Sequence, residues 1–382
     1  MQLGAVARFW ARWQPDGAAI RFEGRDLTWA ELDRRTDTLA GGLGKLGLGP
    51  GDRLGILGQN SPRWCELVIA AFKAGAVAVP VNPRMAPTEV TEIVAHAGCR
   101  VLAADGGFAS CLDAVAGRLP DVAFVAIDGD TGRGTPIDEV AAGPPLAWEP
   151  SAAEDSEPAL IAYTSGTTGA PKGVVLTHTN LWAHVVLRAF SDRWTSSVRT
   201  LLAVPLAFTG GIVNNFVATY GVGGTLVLER AFEPARALRL LVDERITTLI
   251  GVPVMWQGIA AAPGFADADL SALSTAITGG APVPETLLRT FHAKGVLIRQ
   301  AYALTEAGAL ACQTPEHLAL DRPESAGLPN LGTEIRIAGD DDRPLPAGEV
   351  GEIQLRGPQV TTGYWNDPAA TAEGLAGGWL HT

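Results

Sequence analysis

The stretch ALIAYTSGTTGAPKGVVLT, Ala159 to Thr177, places two apolar runs on either side of a loop rich in glycine and hydroxyl side chains. ALIAY and VVLT have the aliphatic character of strands, so TSGTTGAPKG is expected to connect them. Such a connection can be a plain turn, because Gly, Ser and Thr suit tight turns without binding anything. It can equally be a phosphate cradle. Gly166 and Gly169 let main-chain amides converge on anionic oxygens, Thr164, Ser165, Thr167 and Thr168 supply hydroxyl donors, and Lys172 supplies charge. Pro171 before Lys172 and Gly173 after it do not fit the GK[ST] ending of a P-loop NTPase, so that cradle is disfavoured.

Outward from this loop, helices and strands alternate. LTWAELDRRTDTLAGGLGKLG, Leu27 to Gly47, sets Leu32, Leu39 and Leu43 near helical spacing with Thr28 as N-cap. DRLGILG then reads as a strand, and PRWCELVIAAFKAGAVAVPVNP as a helix, a glycine stop and a buried strand. GLGKLG, Gly42 to Gly47, matches the dinucleotide fingerprint letter for letter, but it follows a helix and precedes a strand, the reverse of what that fingerprint needs. Residues 129–157, rich in Pro, Gly, Ala and acids, read as a linker. Beyond residue 325 the texture changes to short alternating strands, TEIRIAG and GEIQLRG. Three parts follow: about 1–150 and 158–324, both α/β, and 325–382, mainly β.

Composition narrows the function. A chain of 382 residues with 47% hydrophobic and 18% charged residues is globular and large enough for two or three packing units. Its net charge of −12 opposes broad nucleic-acid binding. Lys172 is one of four lysines among 29 basic residues. The four cysteines form no CxxC or Cys/His cluster, so free thiols in a reducing cytoplasm are expected. The uncharged run Leu201 to Leu228 is long enough to span a bilayer, yet Pro205, Asn214, Asn215 and its glycines favour a buried strand, loop and helix, so no membrane span is expected.

YTSGTTGAPKGV resembles the signature loop of the adenylate-forming superfamily: acyl-CoA synthetases, adenylation domains of peptide synthetases and firefly-type luciferases. LTWAEL, KAGAVAVPVNP, VPLAFTGG, TGGAPVP, QAYALTE and GEVGEIQLRGPQVTTGYWNDP fall in the same order as in that family, from Leu27 to the end of the chain. The resemblance implies a large N-terminal domain of two packed αβα subdomains and a distorted β-barrel. It also implies ATP-dependent activation of a carboxylic acid to an acyl-adenylate, with Mg²⁺, and then transfer to a thiol, CoA or a carrier protein.

By the same resemblance, Tyr302 stacks on adenine, Thr305 lies near the α-phosphate and Glu306 binds Mg²⁺, with Lys172 catalytic beside Thr305 and Glu306. Gly280, Ala281, Pro282, Gln300 and Ala301 join Tyr302 around the nucleotide, whereas Phe208, Thr209, Gly210, Asn214, Gly279 and Ala303 line the acyl pocket. Ala301 and Ala303 flank Tyr302 where the family more often has glycines, and Phe208 stands where many acyl-CoA synthetases have histidine. Thr209 replaces the aspartate that pairs with an α-ammonium group in amino-acid-activating relatives, which favours a hydrophobic acid without an α-amino group. The family pattern continues past WLHT into a Gly-Asp and a small C-terminal domain, so this chain is expected to be a truncated form, poorly active alone. Two other readings stay open: a relative that handles preformed acyl-adenylates, and a noncatalytic nucleotide-binding module.

Overall fold

The computed structural model describes residues 2–146, 155–164 and 171–382. The local signals act as their chemistry requires. The Thr28 side chain accepts from the Glu31 amide and Glu31 answers at the Thr28 amide, closing a capping box on the helix Trp29–Lys45. Leu32, Leu39 and Leu43 on its inner face are fully buried. Ser61 caps Pro62–Lys73, with proline at its first position, and Thr177 forms a second box with Asn180 at the head of His178–Ser191. GLGKLG closes the helix Trp29–Lys45 and leads to the strand Arg53–Leu57, so it opens no helix.

Two large sheets organise the chain. One has eight strands in the order Gly363–Tyr364, Lys172–Thr177, Pro158–Thr164, Val77–Val81, Arg53–Leu57, Cys99–Ala104, Ala123–Ala126 and Thr135–Pro136. The other has nine, with Ile298–Leu304 between Ala309–Gln313 and Thr275–Gly279, and with Ala18–Phe22 and Arg25–Thr28 at its far edge. Sheet membership therefore crosses the chain segments: Ala18–Phe22 and Arg25–Thr28 join the strands after residue 198, and Pro158–Thr164 and Lys172–Thr177 join the strands before residue 137. One continuous apolar core, from Leu3 to Leu310, packs between them.

Where a distorted barrel was implied, Glu334–Ala338, Glu352–Arg356 and Leu380–His381 form a three-stranded antiparallel sheet. Arg336 and Arg356 lie 4.4 and 4.6 Å from the Trp379 ring centroid. The run 201–228 is divided among a strand, a π-helix, a short α-helix and another strand, and among the described residues no helix is long and apolar enough to cross a membrane. The four cysteines are free and buried.

The linker expectation for 129–157 needs correction. Thr135–Pro136 pairs with the strand Ala123–Ala126, and the turn Ile137–Val140 buries both end residues against the first long helix. The contact is so close that a Cβ on Gly42 would lie 1.8 Å from the Val140 carbonyl oxygen. Pairing and packing thus hold the segment as far as residue 146, despite a composition that reads as loop.

Two buried histidines give the fold a pH dependence. The Leu3 amide donates to His178 Nδ1 at 3.3 Å, and burial pushes the pKa of that ring down to about 4. Burial also holds His184 well below its usual value. The unfolded chain, with ordinary histidines near pH 6.5, binds protons that the folded chain refuses, so their contribution is full above that pH and is lost on acidification. Urea unfolding should show stability falling from about pH 6.5 towards 4, with His178→Gln reducing that slope.

Candidate functional site

The strand Pro158–Thr164 of the eight-stranded sheet and Ile298–Leu304 of the nine-stranded sheet bring their carboxyl ends together, where open α/β sheets bind ligands. A cavity of about 350 Å³ lies between them, lined by Tyr163, Thr164, Phe208, Thr209, Leu304 and Thr305 among others. The Thr209 and Thr305 hydroxyls are hydrogen-bonded at 2.8 Å across it. A second cavity of about 470 Å³ adjoins it, with Phe232, Ile250, Val252, Met255 and Ile277 in its walls. Phe208, Gly210, Asn214 and Ala303 face both. Phe208 is therefore no core residue; 42% of it remains exposed.

The wall between the cavities is the π-helix Gly210–Val217. Its wide turn is held by Asn215, whose Nδ2 donates to the Gly210 carbonyl at 2.7 Å. A Cβ on Gly211 would lie 2.2 Å from the Pro205 carbonyl oxygen, whereas one on Gly210 would meet nothing within 4 Å. Gly211 is thus required for packing, and Gly210 leaves space open to ligand. π-Turns of this kind recur at functional sites.

Strand alternation sorts the residues of QAYALTE. Ala301 and Ala303 face the second cavity, together with Gly279 and Gly280 of the neighbouring strand end. Tyr302 points to the other side, packed with Leu304, Ile335 and Val360. Ala301 and Gly280, grouped with adenine from the sequence, thus border the cavity expected to hold the acyl group. Ala281 and Pro282 are exposed beyond the strand end, and the Gln300 amide donates to the Pro323 carbonyl. None of these three lines either cavity.

Lys172 starts the strand Lys172–Thr177, paired with Thr164, and Glu306 sits in the turn Thr305–Ala307. The Tyr364 hydroxyl donates to Glu306 Oε1 at 3.2 Å, and the Lys172 ammonium lies 5.2 Å from the centroid of the same ring. Burial, with the Glu306 carboxylate beside it, pushes the Tyr364 hydroxyl well above its usual pKa. Ser165, Gly166, Thr167, Thr168 and Gly169 lie outside the described residues.

Behind the cavity wall is a buried polar network that sequence reading missed. Arg188 Nη2 donates to Asn214 Oδ1 at 3.1 Å, and Nη1 to Asp192 at 2.6 Å. Asp192 also accepts from Arg299 at 2.5 Å and Gln313 at 3.0 Å. Because guanidinium only donates, the Asn214 oxygen is turned towards Arg188 and its NH₂ group away from it. His184 lies beside Asn214 with neither ring nitrogen in hydrogen-bond geometry. Burial opposes the Asp192 charge, but the two guanidinium groups outweigh it and hold the carboxyl below its usual pKa. Arg188 and Asp192 are four residues apart, but Asn214, Arg299 and Gln313 are distant from them in sequence and no local pattern marks the set; Tyr364, in contrast, lies within the motif GYWNDP.

Residues 7–365 match the family described as AMP-binding enzyme. The chain belongs to that family. Among its AMP-binding relatives, a feruloyl-CoA synthase of an Amycolatopsis species is 39% identical, over 97% of this chain and 73% of its own length. The indoleacetate–CoA ligase of Aromatoleum aromaticum is 33% identical, over 97% and 72%. The inhibitor-bound N-terminal domain of FACL13 from Mycobacterium tuberculosis superposes with a TM-score of 0.92 at 30% identity, covering all of this chain and 95% of that one. The architecture is thus that of the large N-terminal domain of adenylate-forming enzymes.

The network behind the wall carries a measurable load. Asp192→Asn leaves the Arg188 and Arg299 charges buried without their carboxylate and should cost about 3–5 kcal/mol of stability, read from urea unfolding at neutral pH.

Proposed function

We propose that this chain activates a hydrophobic carboxylic acid with ATP, forming an acyl-adenylate and releasing pyrophosphate, and that CoA then takes the acyl group and releases AMP. The observation that carries this reading is the Thr209–Thr305 contact, where a cavity of mixed lining between two strand ends opens into a more apolar one. A carboxylate there has hydroxyl donors at its head and apolar walls along its body. Its oxygen is placed to attack the α-phosphorus of a nucleotide whose phosphates lie towards Thr164 and Lys172, with pyrophosphate leaving in line.

Proximity and electrostatics supply the acceleration. Fixing acid and nucleotide side by side removes the entropy of their encounter, and donors aimed at the phosphate oxygens stabilise charge as the P–O bond breaks. Lys172 and the loop residues Ser165, Gly166, Thr167, Thr168 and Gly169 have the chemistry for this. Among the described residues no group of three or more His, Cys, Asp or Glu side chains is arranged to hold a metal. One carboxylate, Glu306, nevertheless suits Mg²⁺, which is bound through few protein ligands plus substrate phosphates and would supply charge neutralisation there. Tyr302, on the opposite strand face from the acyl cavity, is the ring offered to adenine.

The acid class follows from the cavity walls. Among the described residues, Arg84 is the charged residue lining the second cavity, and no carboxylate lines it. An α-ammonium group buried there would be unpaired, which favours an acid without one. Asn214 adds a polar contact to walls that are otherwise largely apolar. The names of the two relatives, a feruloyl-CoA synthase and an indoleacetate–CoA ligase, support an aryl-bearing acid.

Acid-dependent ATP/pyrophosphate exchange tests the assignment. Lys172→Ala and Glu306→Ala should each lower exchange about 100-fold or more while thermal unfolding stays near that of the parent; unchanged exchange and ATP affinity in both would overturn it. In the same assay Gly210→Leu, which fills open space, should raise the KM of bulky aryl acids about tenfold or more relative to that of acetate, and an equal effect on both would show that Gly210 does not face the acyl group.

A further inference from the structure

Lys172 and Glu306 come from different sheets, and one side chain touches both. Tyr364 lies on the edge strand Gly363–Tyr364, paired with Val174, two residues beyond Lys172 on the neighbouring strand. Its hydroxyl donates to Glu306 Oε1 at 3.2 Å, and its ring carries the Lys172 ammonium 5.2 Å from the centroid. The tyrosine is itself fixed. Its amide donates to Thr371 Oγ1 at 2.9 Å, and Gly374 lies so close that a Cβ there would come within 3.2 Å of the ring.

We propose that Tyr364 is a positioning residue for acid activation, its hydroxyl orienting the Glu306 carboxylate and its ring face holding the Lys172 ammonium, so that the metal-binding and phosphate-binding groups are presented together. This rests on the roles given above to Lys172 and Glu306. The two contacts suit that task in different ways. A neutral phenol can orient a carboxylate without neutralising it, so the full negative charge stays available to a cation. A cation–π contact is weak enough, about 0.5–1 kcal/mol at a partly exposed site, for the ammonium to move from the ring to phosphate oxygens when nucleotide arrives.

Tyr364→Phe keeps the ring and removes the hydroxyl; Tyr364→Leu removes both contacts. The readouts are the Mg²⁺ concentration that half-saturates ATP binding, by titration calorimetry, and the Mg²⁺ dependence of exchange. Tyr364→Phe should raise that concentration about tenfold and leave the KM of the acid unchanged. Tyr364→Leu should further weaken ATP binding about two- to fivefold. Combined with Glu306→Gln, Tyr364→Phe should add no further Mg²⁺ effect, because the carboxylate it orients is gone.

A structural role alone would lower thermal stability and kcat without moving the Mg²⁺ dependence, and that result overturns the proposal. Glu306→Gln separates the two readings. If it shifts the Mg²⁺ dependence and Tyr364→Phe does not, the positioning role fails while the metal assignment stands. If Glu306→Gln itself has no effect, the metal assignment fails and takes the positioning role with it.

Discussion

Thr361 fastens the two halves of the site. Its amide donates to the Glu306 carbonyl at 2.7 Å, while its hydroxyl donates to the Val175 carbonyl at 2.6 Å. The first contact reaches the turn at the tip of the nine-stranded sheet, and the second the strand Lys172–Thr177 of the eight-stranded sheet. Asn180 secures the same segment from below by donating to the Pro358 and Val360 carbonyls, both at 2.8 Å. Two sheets that merely shared a core could slide by an ångström at little cost, and adenylation chemistry placed between them could not tolerate that. Directional hydrogen bonds from one short segment remove the freedom.

Legibility in the sequence follows the range of the interaction. Caps such as Thr28 with Glu31, and helix faces such as Leu32, Leu39 and Leu43, depend on neighbours within a turn or two, so the string of letters contains them. The αβ alternation was legible for the same reason. Sheet membership was not: Ala18–Phe22 pairs with the next strand in sequence, Arg25–Thr28, and also with the distant Thr225–Leu228, and the second pairing is decided by burial across the molecule. Compositional bias misled at residues 129–146, where a single paired strand end and two buried side chains, Ile137 and Val140, outweigh a run of turn formers.

At the site, motif register does not say which way each side chain points. Ala301 and Tyr302 are consecutive, and in a strand consecutive residues look in opposite directions, so Ala301 lines the second cavity while Tyr302 packs on the other face. The Arg188–Asp192–Arg299 cluster was invisible because it joins the end of one helix to a strand more than a hundred residues away, and burial is what makes them partners. It matters for the acyl wall all the same. Asn214 cannot rotate its amide freely while its oxygen accepts from a guanidinium that has no other means of being satisfied on that side.

The π-helix Gly210–Val217 has a bearing on how such a binding site can diversify. A π-turn holds one residue more than the α-helical turn it replaces, and each residue of an α-helix advances the side chains by about 100°. Deleting a single residue between Gly210 and Asn214 would therefore swing a different side chain into the place now taken by Asn214, while the two sheets stayed where they are. A shift of helical phase by one residue, with no substitution elsewhere, is enough to give the same framework a new lining.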